Sequence, residues 1–151
     1  MNRPVVAFVC VHNSCRSQMA EALAKRFAAD AFDAVSAGTE LRDRINPDAV
    51  ATIRRLYGLD MEATQRPKLL AAIPPRVDVL VTMGCNVVCP SLPNRHTEDW
   101  GLEDPTGQGP EAFEATARAI EAKVKDLAAR LPALLDGPAA PAIDLRIGKD
   151  D

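Results

Sequence analysis

Cys10, Arg16 and Ser17 fall within one short stretch, VCVHNSCRSQMAEAL (residues 9–23), where an apolar run gives way to a helical pattern. A cysteine is a nucleophile only as its thiolate, and the planar fork of an arginine grips two oxygens of one anion. Five residues separate Cys10 from Arg16. A loop of that length between a strand and a helix turns backbone N–H groups inward, and the helix N-terminus adds partial positive charge. The expected cradle, Val11, His12, Asn13, Ser14, Cys15 and Arg16, binds a tetrahedral oxyanion above Cys10. The same field favours the Cys10 thiolate, and Ser17 adds a hydroxyl hydrogen bond to it. A thiolate beneath a bound oxyanion is placed to attack its central atom. The competing reading, a buried strand cysteine beside a surface arginine, leaves the serine and the strand-loop-helix context unused.

A second cluster, VTMGCNVVCPSLPNRH, carries Cys85 and Cys89 just past an expected strand. If that strand lies beside the one that ends at Cys10, both loops leave the same sheet edge and the thiols can meet. One thiol suffices for group transfer, whereas a reductase must supply two electrons and store the oxidation. The pair also suits half a zinc site with His96 or His12, core cysteines, or a regulatory disulfide. A third element, WGLEDPTGQGPEAF, holds Asp104 before Pro105, out of helical conformation and free to protonate a leaving oxygen. Asp-Pro also occurs in ordinary turns.

The elements that must position these groups read as an α/β alternation. Residues 4–11 form an apolar β-branched run, the mark of a central parallel strand. Residues 17–30 carry Met19, Ala20, Leu23, Ala24, Phe27 and Ala28 at helical spacing, with Glu21 and Lys25 expected to face outward at i, i+4. A second strand is expected at 33–37 and a second helix from Asn46 to Gly58. A third strand follows at 77–83 and a short fourth within 97–102. The last helix, 111–135, puts Phe113, Ala117, Ile120, Val124, Leu127 and Leu131 on one face. Such alternation predicts a parallel sheet with its site at the carboxyl ends of the strands.

The 151 residues, 47% apolar, fit one domain over 1–136, with the Pro-rich stretch 137–151 as a loosely packed or flexible extension. A net charge of −3 without a basic stripe argues against nucleic acid, and no stretch is long enough for a membrane span. Four cysteines without a disulfide framework, and no leader, point to the cytoplasm.

Taken together, these segments resemble the thioredoxin-coupled arsenate reductases, which share the low-molecular-weight protein tyrosine phosphatase fold. The resemblance covers most of residues 4–135. It rests on Cys10 to Ser17 with the following QMAEAL, SAGTE at 36–40, NPDAV at 46–50, TMGCNVVCP, and EDWGLEDPTG with Asp104 and Pro105. It implies a three-layer α/β domain with a four-stranded parallel sheet in the order 2-1-3-4. It implies Cys10 as nucleophile, Asn13, Ser14 and Arg16 in the anion loop, and Ser17 supporting the thiolate. Asp104 would be the general acid, and Cys85 and Cys89 the redox relay. Arsenate would be reduced to arsenite without a required cofactor, with thioredoxin, or a low-molecular-weight thiol with a glutaredoxin-type partner, restoring the enzyme. Some relatives bind potassium near this loop, and here Asn13, Glu21 and Ser36 could supply oxygens; the alternative is that Glu21 is a buried, hydrogen-bonded carboxylate. His12 stands where the family often has glycine, a place where left-handed backbone would be costly. The alternatives are a low-molecular-weight tyrosine phosphatase and a catalytically silent oxyanion-binding or redox-sensing module. Against the phosphatase, Thr106 and Gly107 follow the acid where aromatic residues are usual, and the single tyrosine, Tyr57, lies on a predicted core face.

Overall fold

The computed structural model describes residues 3–40, 42–84 and 92–136; Cys85, Cys89 and the stretch 137–151 lie outside the described residues. Along the chain run β1 (Val5–Cys10), α1 (Arg16–Phe27), β2 (Asp33–Gly38), α2 (Pro47–Tyr57), α3 (Met61–Thr64), β3 (Val79–Thr82), β4 (His96–Asp99) and α4 (Pro110–Leu135). The sheet is four-stranded in the order β2-β1-β3-β4, and every pairing is parallel. Its register pairs Cys10 with Gly38, Val9 with Thr82, and Thr82 with Asp99. The carboxyl ends of all four strands therefore meet at one edge.

Apolar residues fill both faces of β1, as a central parallel strand requires. On one face Val6 and Phe8 pack with α1, α2 and α4, and the Phe8 ring meets Trp100 at 5.5 Å between centroids. On the other, Ala7 and Val9 pack with Ala37, Leu80, Ile73 and Val77. The buried face of α4 is the expected set of six, Phe113 to Leu131. Helix α2 begins where the Asn46 side chain accepts from the Asp48 N–H, and it ends at Gly58 in left-handed conformation, φ 70°. Strand β4 starts and stops earlier than its sequence suggests, because Trp100 turns its N–H to the Thr82 carbonyl and Gly101, φ 58°, ends the extended run. One-turn α3, capped by Asp60, is too short to leave a periodicity. No helix among the described residues is long and apolar enough to cross a membrane.

Helix α4 is fastened to the edge strand through Glu98. Its carboxylate accepts from Arg130 at 2.9 and 3.1 Å, from Trp100 Nε1 at 2.7 Å, and lies 2.8 Å from His96 Nε2. Burial pushes the Glu98 pKa up, but the bonds from Arg130, Trp100 and His96 outweigh it and hold the carboxyl at about 2, below its ordinary 4.5. The folded state thus favours the ionised form. Its contribution is complete above about pH 4.5 and is lost as pH falls through about 2, where the folded carboxyl takes up its proton. Glu98→Gln should lower stability at neutral pH by about 1–3 kcal/mol, the usual cost of disrupting a buried charged hydrogen-bond set. Urea midpoints of variant and parent should converge on acidification, and a constant gap down to the acid limit would exclude this linkage.

Candidate active site

Strand β1 delivers Cys10 to the sheet edge and α1 begins six positions later, so the loop between them must fold back over the sulfur. The Asn13 N–H donates to Cys10 Sγ at 3.3 Å, and Ser17 Oγ lies 2.9 Å from it. Ser17 already accepts from Asn13 Nδ2 at 2.8 Å, which directs its hydroxyl proton to the sulfur. The Asn13 N–H and the Ser17 hydroxyl both face the sulfur as donors. The left-handed residue of the loop is Asn13, φ 53°, so His12 in the glycine place carries no such strain.

Partners outside the loop hold its carbonyls. Val11 O accepts from Thr39 N and Glu40 N, Ser14 O from Asn46 N, and Asn13 O from Gln18 Nε2. A trans peptide points each N–H opposite the preceding carbonyl. The N–H groups of His12, Ser14 and Cys15 are thereby turned away from these partners, and all three residues line the pocket. Helix α1 has no side-chain cap at Cys15, which leaves its first-turn N–H groups for an anion. Gly38 of the SAGTE stretch is needed for closeness: a Cβ there would lie 2.6 Å from Val11 O and 2.9 Å from Asn13 N.

Arg16 joins the loop to two others. Its Nη1 donates to Met83 O at 2.7 Å and Leu102 O at 2.5 Å, leaving the Nε and Nη2 edge for an oxyanion. Cys10, Arg16 and Asp104 line one pocket of about 420 Å³ with Val11, His12 and Ser14, and among the described residues no Phe, Tyr or Trp lines it. Burial raises the Asp104 pKa, but the Thr106 hydroxyl and N–H, with the charges of Arg16 and His12, outweigh it and hold the carboxyl below its usual range. Cys15 lines the same pocket in the opposite state. Burial, then the Asp104 charge, push its thiol up to about 12, so it stays protonated.

Other pocket residues were not assigned to the site by the sequence, although Asn46 and Thr106 lie in stretches it marked. Arg42, Asp43, Arg44, Asn46 and Thr106 complete the pocket wall. Beneath the loop, Gln18 Nε2 bonds Asn13 Oδ1 at 2.9 Å, Gln65 Nε2 bonds Gln18 Oε1 at 2.7 Å, and Lys68 N bonds Asn13 Oδ1 at 3.0 Å. Glu21, expected on the surface, is 4% exposed. It lies under Lys25, accepts the Ser36 hydroxyl at 2.6 Å and has Lys68 Nζ at 3.5 Å. With Asn13 Oδ1 filled by two donors and a lysine ammonium beside Glu21, the set Asn13, Glu21 and Ser36 does not fit a monovalent cation. His96 stands at the amino end of β4, away from the loop, and the described residues hold no metal-binding cluster. Cys85 and Cys89 lie outside the described residues, but β3, which precedes them, is paired with β1 as expected.

The family profile described as low molecular weight phosphotyrosine protein phosphatase matches residues 5–135. An arsenate reductase of Brevibacillus brevis is 33% identical over 130 residues, which cover 84% of this chain and 96% of that protein. A solved arsenate reductase in the phosphate-binding state superposes with a TM-score of 0.75 at 35% identity, over 84% of this chain and 98% of the other. The thioredoxin-dependent arsenate reductase of Corynebacterium glutamicum superposes with a TM-score of 0.65 at 30% identity, over 87% of this chain and 62% of the other.

Asn13 combines a strained backbone with a hydrogen-bonding side chain, and two substitutions separate these roles. Asn13→Gly and Asn13→Ala should both slow iodoacetamide labelling of Cys10, because each removes the amide that orients Ser17. Asn13→Ala should be the less stable by about 1–2 kcal/mol, the left-handed penalty of an alanine, as thermal unfolding would read. Equal stabilities would contradict the strain assigned to this residue. In peptide maps at neutral pH Cys15 should stay unlabelled, and labelling there as fast as at Cys10 would contradict its buried, protonated state.

Proposed function

Because this chain belongs to the low molecular weight phosphotyrosine protein phosphatase family, and is similar to arsenate reductases along most of its length, we propose that it reduces arsenate to arsenite with Cys10 as nucleophile. The observation that carries the residue assignment is the Cys10 sulfur, bonded by the Asn13 N–H and Ser17, in a polar pocket with Arg16 and Asp104. Among the described residues that pocket has no Phe, Tyr or Trp to cover a phosphotyrosine ring.

Arsenate enters the cradle of N–H groups, held by the free edge of Arg16. Its negative charge, brought beside Asp104, raises the proton affinity of a carboxyl that the anion-free site keeps ionised. A proton arriving with the substrate then passes through Asp104 to an arsenate oxygen. The Cys10 thiolate attacks arsenic, an As–S bond forms and that oxygen leaves as water. A second thiolate attacks the Cys10 sulfur, and the As–S bond breaks with its electron pair on arsenic. Arsenic leaves in the +3 state and a disulfide remains. We assign this second step to Cys85, the first cysteine after β3, and the next exchange to Cys89, which frees Cys10 and leaves a Cys85–Cys89 disulfide. Thioredoxin is the proposed reductant, supported by the thioredoxin-dependent relative in Corynebacterium glutamicum. A reducing compartment such as the cytoplasm suits this cycle.

Purified protein with thioredoxin, its reductase and NADPH should release arsenite, and Cys10→Ser should release none. Without an external reductant, Cys89→Ser should release about one arsenite per site and stop with Cys10 bonded to Cys85, the single-exchange outcome. A full burst from Cys85→Ser, with Cys10 bonded to Cys89, would reverse the order. Small aryl phosphates should be hydrolysed slowly, and Asp104→Asn should cut that turnover roughly 10²–10⁴-fold, the usual worth of a general acid. Aryl phosphate turnover without any arsenite would favour the phosphatase reading.

A further inference from the structure

Glu21 touches neither the pocket nor the nucleophile, yet it is a carboxylate buried on the inner side of α1. A buried carboxylate needs positive charge close by, or burial drives it neutral. Two lysines supply that charge. Lys25 reaches back one helical turn and is itself exposed at its surface end. Lys68 comes from the segment after α3, its side chain 20% exposed, with Nζ 3.5 Å from Glu21 Oε1 and 3.3 Å from Arg66 O. A cavity of about 380 Å³ lies against this pair, lined by Glu21, Glu62, Thr64, Gln65, Arg66 and Lys68. Carboxylate and carbonyl oxygens are what a bare cation would need, and here a tethered ammonium stands beside two of them, Glu21 Oε1 and Arg66 O.

The backbone of Lys68 reaches the chemistry from the same residue. Its N–H donates to Asn13 Oδ1 at 3.0 Å and its carbonyl accepts from Gly38 N at 2.8 Å. Asn13 Nδ2 holds Ser17, and Ser17 holds the Cys10 sulfur. One residue therefore binds Glu21 with its side chain and the loop amide with its main chain. We propose that Lys68 is a positioning residue whose ammonium serves as a resident monovalent cation beside Glu21, fixing the backbone that keeps Asn13 and Ser17 on Cys10. The proposal rests on Cys10 being the nucleophile, and it makes the protein indifferent to potassium because the seat is already filled.

The test reads Cys10 directly, through its rate of iodoacetamide labelling by peptide mass spectrometry at mildly acidic pH. Labelling does not depend on arsenate turnover, so failure of the reductase reading would leave this result intact. Full-length parent, Lys68→Ala, Lys68→Met and Lys68→Arg are compared in potassium, sodium and choline chloride at equal ionic strength, with thermal midpoints in each salt. The parent should label at the same rate in all three salts. Lys68→Arg should resemble it. Lys68→Ala should label several-fold more slowly in choline and recover in potassium or added methylammonium, since truncation opens the cavity to a free cation. Lys68→Met, which keeps the stem without the charge, should be slow and recover less. If the alanine variant does not fold, the parent's salt response and the methionine variant still decide the matter. A parent that accelerates several-fold in potassium would overturn the resident-cation role. So would an alanine variant that is slow in every salt and deaf to methylammonium, and parental rates throughout in the alanine and methionine variants would overturn the positioning role.

Discussion

A loop of five residues aims several N–H groups at one point only if the chain reverses hand within it, and that reversal falls on Asn13 at φ 53°. For an L-residue other than glycine this conformation costs about 1–2 kcal/mol. Four hydrogen bonds offset it: Nδ2 to Ser17, Oδ1 from Gln18 and from the Lys68 N–H, and the main-chain carbonyl from Gln18. At about 0.5–1.5 kcal/mol net for each, they exceed the strain. Glycine would relieve the backbone and lose three of the four. Asparagine is thus the residue that both tolerates the turn and fastens it to α1 and to the segment after α3.

The remaining catalytic geometry follows from that anchored loop. With the loop fixed, Arg16 spends one nitrogen on the carbonyls of Met83 and Leu102, so the chain leaving β3 and the chain carrying Asp104 close on the same guanidinium. Environment then separates two cysteines five residues apart. Cys10 receives an N–H and a hydroxyl on its sulfur, whereas Cys15 is buried beside the Asp104 charge and remains a thiol. The two thiols of one loop thus sit in different surroundings, and the proposed nucleophile is the one that receives donors on its sulfur.

The strands, the buried face of α4 and the caps of α2 were legible because each is a local pattern: apolar runs, helical spacing, Asn-Pro at a start and Gly at a stop. So was the loop, since Cys10 and Arg16 stand at the junction of such patterns. Glu21 was misread for a physical reason. Its spacing from Lys25 is the signature of an exposed ion pair, and the bond does form, but Ser36 and Lys68 bury the carboxylate from 15 and 47 positions away. The amides of Gln18 and Gln65 are likewise 47 positions apart, and nothing near either one announces the other. Local periodicity reports which face is apolar; it does not report polar groups that meet only after the sheet has formed.

The cradle does not by itself distinguish reduction from ester hydrolysis, and the sheet order does not either, since arsenate reductases share the fold of the low molecular weight phosphatases. Arsenate and phosphate share shape and charge, so in the proposed mechanism the loop and Arg16 accept both, and Asp104 is assigned to either leaving oxygen. The difference appears after attack: a phosphorus–sulfur adduct awaits water, whereas an arsenic–sulfur adduct yields its electron pair to arsenic when another thiol takes the sulfur. That step needs a chain bearing thiols beside the loop. The order β2-β1-β3-β4 makes β3 the neighbour of β1, and Arg16 binds the Met83 carbonyl at the exit of β3, two positions before Cys85 in the sequence. In the proposed mechanism the guanidinium assigned to the substrate therefore also binds the carbonyl two positions before Cys85 in the sequence, so one side chain serves both the anion and the strand that leads to the assigned relay.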